Sequence, residues 1–249
     1  MAGGKGTRLG ELGRTAPKCL LPLPDGTTLL ARLTNQLRGA GIDQIVVCCS
    51  PENHSQIKPP LDDYRATTGI PQTELKAVSC ESCRLGPVPA LAEAVSKVSA
   101  RWYLLCLADI YFTETPFGGP AQRLADNPSL DGCLLTGVDQ MTPDGSGSGY
   151  VASERGTIRA ISYRPFGPEQ TGTRQVHRWT GSFLFRSALI SDLQANPAAY
   201  SGKPFEDWIM HLLAGGARCS FLDAGPFVNV NSAHDYQFLK QTQITEKLV

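Results

Sequence analysis

The sequence predicts an α/β fold in which helices cover both faces of a mainly parallel central sheet. Short, continuous apolar runs, typical of strands buried on both faces, alternate with amphipathic helical segments in the first half of the chain. The chain has 249 residues, of which 41% are hydrophobic, and this is enough for a large core. No internal repeat or linker divides it, so we expect a single domain spanning residues 1–249.

The first half of the chain supplies the alternation of helices and strands. Residues 28–40 place leucines on one helical stripe and end in glycines, which predicts a helix. Residues 44–49 form a continuous apolar run, which predicts a buried strand. Further strands are predicted at residues 75–79, 102–108 and 132–138, and helices at residues 88–98 and 120–125. Because helices connect these strands, we expect the strands to be parallel.

The second half of the chain has a different pattern. Residues 144–149 alternate glycine with small polar residues and are too flexible to pack. Two β-like stretches follow, at residues 150–153 and 157–163, and we interpret them as a small β-rich insertion. The core is completed by predicted strands at residues 179–185 and 219–222 and by predicted helices at residues 205–214 and 234–245.

The charge balance limits the classes of partner. The 23 basic and 23 acidic side chains cancel, so no global field favours a nucleic-acid polymer or an anionic membrane. Affinity for phosphate must then come from a few placed cations and backbone amides. The sequence contains no apolar run long enough for a membrane span and no signal-peptide core, so a soluble cytoplasmic protein is expected.

The 8 cysteines are unevenly spaced, and several fall in predicted core strands, namely Cys48, Cys49, Cys106 and Cys133. We expect these residues to be buried free thiols. Cys80 and Cys83 have the spacing of a zinc-binding pair. A structural zinc site needs four ligands, and no second pair is present, so we do not predict zinc here.

The opening of the chain carries a glycine loop with interleaved cations, Gly3-Gly4-Lys5-Gly6-Thr7-Arg8. It lacks the Gly-Lys-Ser/Thr ending of a Walker A loop and the third glycine of the dinucleotide fingerprint. Its glycines expose backbone N–H groups to an anion, and Lys5, Arg8, Arg14 and Lys18 lie within a short arc. A structural loop has no need of these cations, so the stretch predicts a polyphosphate site.

The loop followed by Pro17-Lys18 resembles the paired motifs of sugar-1-phosphate nucleotidyltransferases, also called nucleotide-sugar pyrophosphorylases. Five later segments are similar to that family's motifs: residues 85–91, Leu107-Ala108-Asp109, Tyr163-Arg164-Pro165, Gly181-Ser182-Phe183-Leu184-Phe185 and residues 227–232. The resemblance spans nearly the whole chain. It implies a Rossmann-like, three-layer α/β/α domain of the GT-A-like nucleotidyltransferase fold.

The resemblance also implies a reaction. A phosphate oxygen of a phosphorylated small-molecule acceptor, such as a sugar 1-phosphate, attacks the α-phosphorus of a nucleoside triphosphate, and pyrophosphate leaves. A phosphate monoester is already largely dianionic near neutrality, so no general base is required. Catalysis then depends on positioning and on cations, including Mg²⁺ as the implied cofactor.

Positions for the nucleotide follow from the family motifs. The implied nucleotide-binding residues are Ala2, Gly3, Gly4, Lys5, Gly6, Thr7, Arg8, Lys18 and Gly86. Arg8 and Lys18 are assigned to the triphosphate, and with Asp109 they are the implied catalytic residues. Asp109 also ends the most apolar predicted strand, and ligands of an open parallel sheet sit beyond the carboxyl ends of its strands. An aspartate that merely caps a turn is the alternative.

The metal and acceptor positions depart from the family pattern. Asp109 and Asn229 are the implied metal ligands, although most relatives have a carboxylate at the second position. Some relatives that act on N-acetylhexosamine phosphate also use asparagine there. Arg164 replaces the lysine that holds the acceptor's phosphate, and Gly181 and Glu206 are the other acceptor-binding candidates. Glu206 either faces the acceptor's hydroxyls or caps its helix.

Three other functions are considered beside a nucleotide-sugar synthase. A cytidylyltransferase for a non-sugar phosphate or phosphonate shares the opening motif. A regulatory pseudoenzyme that binds nucleotide without turnover is suggested by Asn229 and Arg164. A metal-dependent glycosyltransferase of similar topology would carry Asp-x-Asp, whereas Asp109-Ile110-Tyr111 has one carboxylate. Assembly into a homo-oligomer is compatible with the sequence.

The glycine loop begins almost at the first residue. A loop of this kind holds phosphate when it lies between two rigid elements, and in the implied fold the element before it is a central strand. Only Met1 and Ala2 precede Gly3 here. The expectation is that the natural chain starts upstream, with a Val/Ile/Leu-rich strand that ends at this methionine.

Overall fold

The structure is a computed structural model that describes residues 1–2, 7–141, 149–167, 169, 172 and 174–246. Its helices are α1 (Glu11–Thr15), α2 (Leu29–Gly39), α3 (Pro51–Thr68), α4 (Pro87–Ser96), α5 (Gly118–Asp126), α6 (Ser191–Ala195), α7 (Phe205–Ala214) and α8 (Ala233–Glu246). Its strands are β1 (Ile45–Cys49), β2 (Leu75–Ser79), β3 (Trp102–Leu105), β4 (Ile110–Phe112), β5 (Gly132–Asp139), β6 (Tyr150–Glu154), β7 (Thr157–Ser162), β8 (Gln175–Arg186) and β9 (Cys219–Asn229). Short 3-10 turns cover Thr7–Leu9, Lys18–Leu20, Glu81–Leu85, Ser187–Ile190 and Pro197–Tyr200.

Helix α3 was not predicted from the sequence. Ser50 caps it by accepting a hydrogen bond from the Asn53 backbone N–H at 3.3 Å, and Pro51 stands at the first helical position. Pro59 and Pro60 lie inside the helix and remove backbone donors, so they disguise the helical pattern. The helix forms despite them because tertiary packing outweighs local propensity.

Strand directions are mixed. β1 and β2 form a parallel pair, and a second sheet has the order β3-β8-β5-β9-β7-β6, with β4 beside β9. In that sheet β5 and β9 are parallel, whereas β8 runs antiparallel to both β3 and β5. The mainly parallel sheet predicted from the sequence is therefore not confirmed. A buried apolar run shows that a strand is covered on both faces, but it carries no information about the strand's direction.

Both faces of the second sheet are covered. Leu134 and Leu135 are adjacent in β5, yet they belong to two different core clusters because successive side chains point to opposite faces. Leu134 shares its cluster with residues of α4 and α7, including Trp208. Leu135 shares its cluster with residues of α2 and α3, including Ile57. The predicted three layers of helix, sheet and helix are thus present.

The cysteines are free, and seven of them are buried: Cys19, Cys48, Cys49, Cys80, Cys106, Cys133 and Cys219. The prediction of buried free thiols is confirmed. Burial raises the pKa of Cys106 to about 11, because the thiolate loses its hydration in the core. Among the described residues, no group of three or more His, Cys, Asp and Glu side chains is arranged to hold a metal ion. Nor does the described part of the chain contain a helix with the length and apolar character needed to cross a membrane.

Candidate functional site

Lys18 is the centre of a polar cluster built from distant parts of the chain. Its ammonium Nζ donates to Asp109 Oδ2 at 3.3 Å and to Asn231 Oδ1 at 3.0 Å. The side chains of Lys18 and Asp109 are 15% and 25% exposed, so the pair remains accessible from solvent. Next to Lys18, Cys19 is 2% exposed and anchors the 3-10 turn to the core. We call Lys18, Asp109 and Asn231 the lysine cluster.

The chain places Asp109 where β3 has ended and β4 begins. Its backbone carbonyl accepts a hydrogen bond from the Val230 N–H at 2.9 Å. The next residue, Ile110, pairs with Asn229 of β9. The two predicted metal ligands, Asp109 and Asn229, therefore lie on neighbouring segments at the same edge of the sheet.

Asn231 was not predicted as a site residue. Its position two residues after Asn229 was the available signal, because alternate residues at a strand end tend to face the same side. Asp235 Oδ2 accepts hydrogen bonds from the backbone N–H groups of Asn231 at 2.8 Å and Ser232 at 2.7 Å. The Asp235 N–H donates to Ser232 Oγ at 3.2 Å, which completes a reciprocal cap of α8. This cap fixes the loop that presents Asn231.

Arg8 lies in the turn Thr7–Leu9 and is exposed. Leu9 is 1% exposed and belongs to one core cluster with Tyr111 and Val228, which holds this turn against β4 and β9. Gly3, Gly4, Lys5 and Gly6, with the side chain of Thr7, lie outside the described residues. Their predicted contacts with nucleotide stay predictions.

Ala2 contacts the carboxyl end of β1, and Gly86 follows β2 and the 3-10 turn Glu81–Leu85 along the chain. The Ala2 N–H donates to the Cys48 carbonyl at 2.7 Å, and its own carbonyl accepts from Asn53 Nδ2 at 3.2 Å. Gly86 begins α4 with φ of 122°, a conformation that side chains rarely adopt. A Cβ there would lie 3.3 Å from the Gly202 backbone N. Glycine is thus required where the backbone turns into α4.

Glu206, which was predicted to bind the acceptor, occupies a buried position. It is 6% exposed and opens α7. A Cβ on Gly149 would lie 2.7 Å from Glu206 Oε1 and 3.2 Å from the Trp179 ring, so the backbone at Gly149 packs between them. Burial raises the pKa of the Glu206 carboxyl, and a hydrogen bond from its own backbone N–H opposes that shift. Glu206 therefore lies in the first turn of α7, and its carboxyl group faces Gly149.

The other two acceptor candidates differ in exposure. Gly181 is buried with φ of 77°, and a Cβ there would lie 2.5 Å from Leu107 Cδ1. Gly181 thus packs against Leu107, which lies two residues before Asp109 in the chain. Arg164 is exposed, its backbone N–H donates to Ser162 Oγ at 3.1 Å, and among the described residues its guanidinium makes no hydrogen bond or ion pair. The structure does not bring Arg164 into contact with the lysine cluster.

Solved structures share this fold along nearly the whole chain. A protein from Bacillus anthracis assigned as a glucose-1-phosphate thymidylyltransferase aligns with a TM-score of 0.79 and 18% identity, over 97% of this chain and 92% of that one. The inositol-1-phosphate CTP transferase from T. maritima aligns with a TM-score of 0.72 and 16% identity, over 96% and 92%. An apo UDP-glucose pyrophosphorylase aligns with a TM-score of 0.72 and 15% identity, over 99% and 97%. The fold is that of the nucleotidyltransferases.

Sequence comparison gives the family. Residues 1–143 match the family model of the MobA-like NTP transferase domain, and the chain belongs to that family. It is a nucleotidyltransferase, as the glycine loop and Pro17-Lys18 predicted. No curated protein sequence matches the chain.

Proposed function

We propose that this protein transfers a nucleotidyl group from a nucleoside triphosphate to the phosphate of a sugar 1-phosphate, in a Mg²⁺-dependent reaction that releases pyrophosphate. The observation that carries the proposal is the lysine cluster. It brings a cation, a carboxylate and an amide oxygen together at one edge of the sheet, over sequence separations of 91 and 213 residues.

Lys18 is assigned to the α-phosphate of the triphosphate. Its ammonium already donates hydrogen bonds to two oxygen acceptors. The side chain therefore loses little conformational entropy when a phosphate oxygen replaces one of these acceptors. Arg8 is exposed beside the same edge and offers a planar fork to the remaining phosphate oxygens. Together they offset the charge that accumulates as pyrophosphate leaves.

The donor atoms near Lys18 fit Mg²⁺ bound together with substrate. Asp109 and Asn231 contribute a carboxylate and a neutral amide oxygen around Lys18, and Asn229 pairs with Ile110, the residue after Asp109. Magnesium is typically bound by one or two carboxylates and completed by substrate phosphates and water, so a dedicated protein cage is not required. When bound, the ion would neutralise phosphate charge, and Asp109 and Asn229 are the residues that would hold it.

The acceptor is assigned to the side of the sheet that carries Glu206. A buried carboxyl with a raised pKa suits a neutral, hydroxyl-bearing ring better than a second charged group. Arg164 is assigned to the acceptor's phosphate. Two of the related structures are named for glucose 1-phosphate and inositol 1-phosphate, which are both hydroxylated rings carrying one phosphate.

A cytidylyltransferase is the second candidate. The relative named as an inositol-1-phosphate CTP transferase favours it. Ala2 and Gly86, assigned to the base, would contact it through backbone groups that do not reveal which base is bound. The two candidates therefore differ in substrate, not in the assigned phosphate-binding residues.

A matrix of four nucleoside triphosphates against sugar 1-phosphates and non-sugar phosphates, with pyrophosphate release as the readout, tests both candidates. Turnover with a sugar 1-phosphate, abolished by EDTA and restored by Mg²⁺, supports the proposal. Turnover with CTP and a non-sugar phosphate alone supports the cytidylyltransferase. Thermal stabilisation by a triphosphate, with no pyrophosphate released from that triphosphate in the presence of any acceptor, would instead support a regulatory pseudoenzyme.

A further inference from the structure

Three thiols meet where the parallel pair of β1 and β2 ends. Cys80 follows β2, and its N–H donates to the Cys49 carbonyl at 2.9 Å, which continues the ladder between the two strands. Cys48 of β1 shares a core cluster with Cys80, and Cys83 packs against that cluster. The Cys48 side chain forms hydrogen bonds with both of the other thiols, and its Sγ lies 3.7 Å from the Ala90 carbonyl of α4. None of these thiols belongs to the lysine cluster.

The backbone between Cys80 and Cys83 is folded into a tight turn. The Cys83 N–H donates to the Cys80 carbonyl at 3.2 Å, at the start of the 3-10 turn Glu81–Leu85. A turn closed in this way holds the Cα atoms of its first and fourth residues within about 7 Å of each other. A disulfide requires a Cα separation of about 4.4–6.8 Å, so a small backbone shift is enough to join these two residues. We call Cys80 and Cys83 the turn thiols.

Hydrogen bonding makes the turn thiols more acidic. The hydrogen bonds with Cys48 lower the pKa of Cys80 and of Cys83, and this effect exceeds the opposing effect of burial. The same hydrogen bonds raise the pKa of Cys48, which therefore remains a protonated donor. Because the thiolate is the reactive form of cysteine, the arrangement favours reaction at the turn thiols over reaction at Cys48.

The charged groups around the turn thiols act in both directions. Glu93 of α4 raises the pKa of both thiols, whereas Lys97, whose Nζ lies 2.9 Å from Glu93 Oε1, lowers the pKa of the first. Glu52 of α3 raises the pKa of the second thiol, and the Met1 amine lowers it. The hydrogen bonds with Cys48 thus remain the largest influence on both thiols.

The turn thiols differ in their access to solvent. Cys83 is partly exposed, whereas Cys80 is 0% exposed and Cys48 is 2% exposed. An oxidant that arrives from solvent therefore meets Cys83 first. Cys80 lies three residues away across the same turn, so it is placed to react with the oxidised sulfur of Cys83.

We propose that the turn thiols are a redox pair that hydrogen peroxide converts to a disulfide. The Cys83 thiolate sulfur attacks one peroxide oxygen, the O–O bond breaks, and the leaving hydroxide takes up the proton of the Cys83 thiol to give water. The Cys80 thiolate then attacks the sulfur of the Cys83 sulfenic acid and the S–O bond breaks. The second hydroxide leaves as water with the proton of Cys80. The two thiols thereby lose two electrons, and peroxide gains them.

The disulfide would act on the start of α4. The Gly86 N–H donates to the Cys83 carbonyl at 3.3 Å, and Gly86 begins α4. Both sulfurs would have to leave Cys48 and form a bond of about 2 Å, which draws the turn tighter and weakens the hydrogen bond of Gly86. Since Gly86 is assigned to the base of the triphosphate, oxidation should weaken triphosphate binding. This last step rests on the proposed function.

The first test treats the reduced protein with equimolar hydrogen peroxide and locates the products by fragmentation mass spectrometry. A disulfide between Cys80 and Cys83, reversed by dithiothreitol, is expected. Cys83→Ser should prevent it, and Cys80→Ser should leave Cys83 to oxidise further to the sulfinic acid. Cys133→Ala, which removes a buried thiol of β5, is the matched control and should form the disulfide as the wild type does.

A second test isolates Cys48 as a positioning residue. The rate at which iodoacetamide alkylates Cys83 is measured as a function of pH. Cys48→Ala should move this profile to higher pH and slow the alkylation near neutral pH by about fivefold, because the thiolate loses its hydrogen bond. Cys48→Ser should keep most of the wild-type profile, since its hydroxyl can donate in the same way. Equal profiles for Cys48→Ala and the wild type would contradict this role.

The link to Gly86 is measured by amide hydrogen exchange and by thermal stabilisation with each nucleoside triphosphate. Oxidation should speed exchange at Gly86 by about tenfold and reduce the stabilisation by triphosphate. Unchanged exchange in the disulfide form would overturn the link. A reduced protein that no triphosphate stabilises would count against the proposed function and leave the disulfide result standing.

Two results would overturn the redox pair itself. One is a disulfide that joins Cys48 to either turn thiol, which would show that the turn does not select Cys80 and Cys83. The other is oxidation of Cys83 to the sulfinic acid in the wild type without any disulfide, which would show that Cys80 cannot reach it.

Discussion

The two sides of the candidate site differ in how their charges are held. On the proposed nucleotide side, Lys18 and Asp109 are partly exposed and form an ion pair, with Asn231 as a further partner of Lys18. On the proposed acceptor side, Glu206 is buried, its carboxyl and the Trp179 ring both lie against Gly149, and its charged form is disfavoured. The first arrangement suits a substrate rich in negative charge, and the second suits a largely neutral one.

The difference follows from the elements that carry the residues. The lysine cluster is assembled from a turn, the end of one strand and the end of another, where side chains reach solvent. Glu206 lies in the first turn of α7, close in the chain to Trp208 and Ile209, which are almost fully buried. Because this end of the helix packs into the core, the Glu206 carboxyl is buried as well. The same fold thus produces a partly exposed, charged edge and a buried carboxyl group. Substitutions can test whether these two regions act on different substrates.

The largest effect is expected from Asp109→Ala. Loss of the carboxylate that would hold the metal should reduce turnover by about 1,000-fold, equivalent to about 4 kcal/mol of transition-state stabilisation. Its thermal midpoint should stay close to that of the wild type, because the side chain is partly exposed. Pyrophosphate release and thermal unfolding measure the two effects.

Asp126→Ala is the matched control, since Asp126 is an exposed carboxylate that bonds Gln122 within α5. It should leave turnover unchanged. If Asp109→Ala also turns over at nearly the wild-type rate, the assignment of the metal to this edge is wrong.

The next effect separates the two sides directly. Lys18→Ala should lower kcat by about 100-fold, because a cation that meets the α-phosphate stabilises the transition state. Arg164→Ala should raise the KM for the sugar phosphate by about 10-fold and change kcat little, because it removes ground-state binding. Lys58→Ala, on the exposed face of α3, should change neither.

Steady-state kinetics with each substrate varied in turn measures this division. A shared defect, in which both Lys18→Ala and Arg164→Ala affect only the acceptor's KM, would contradict it.

A smaller effect tests the physical link between the two sides. Gly181→Ala would place a Cβ 2.5 Å from Leu107, in a segment that leads to Asp109, and its φ of 77° is unfavourable for alanine. We expect a loss of about 1–3 kcal/mol in the free energy of unfolding, measured by denaturant titration. Gly26→Ala is the control, since Gly26 has φ of 84° but nothing within 4 Å of its added Cβ. Equal losses in the two variants would show that contact with Leu107 is unimportant.

The smallest effect concerns the pH dependence of stability. Because burial raises the pKa of Glu206 in the folded state, the folded protein binds more protons than the unfolded one between the ordinary and the raised pKa. Stability from this group is therefore greatest below the ordinary glutamate pKa and falls as pH rises toward the raised value. Glu206→Gln should remove that fall. The free energy of unfolding of the variant should therefore increase relative to that of the wild type as the pH rises over this interval.

Denaturant titration at a series of pH values checks the result. Glu114→Gln, at an exposed position, should follow the wild type. A wild-type profile that Glu206→Gln leaves unchanged would show that Glu206 ionises normally in the folded protein.

Local patterns were enough to predict most helices and strands. The helix at residues 205–214 was predicted with the bounds that the structure has, and its apolar stripe and proline start are local signals. The three-residue strand Ile110–Phe112 was not predicted, because a run that short has no periodicity to detect. Helix α3 was not predicted because its two internal prolines are unfavourable in a helix, and packing against the rest of the fold stabilises the helix despite them.

The candidate site divides in the same way. The resemblance to family motifs singled out Lys18 and Asp109 as functional candidates, and each of these motifs is a short local stretch of the chain. It did not single out Asn231, whose meeting with Lys18 joins positions 213 residues apart. A contact of that separation depends on the path of the whole chain, and no local rule encodes it.

By itself the sequence determined the alternation of helices and strands, the burial of the cysteines and the nucleotidyltransferase family. These properties follow from side-chain periodicity and from motifs whose residues are neighbours in the chain. Only the tertiary structure decided the mixed strand directions and the meeting of Lys18 with Asp109 and Asn231. Each of these depends on which strands become neighbours, and strand pairing is decided by long-range packing and backbone hydrogen bonding.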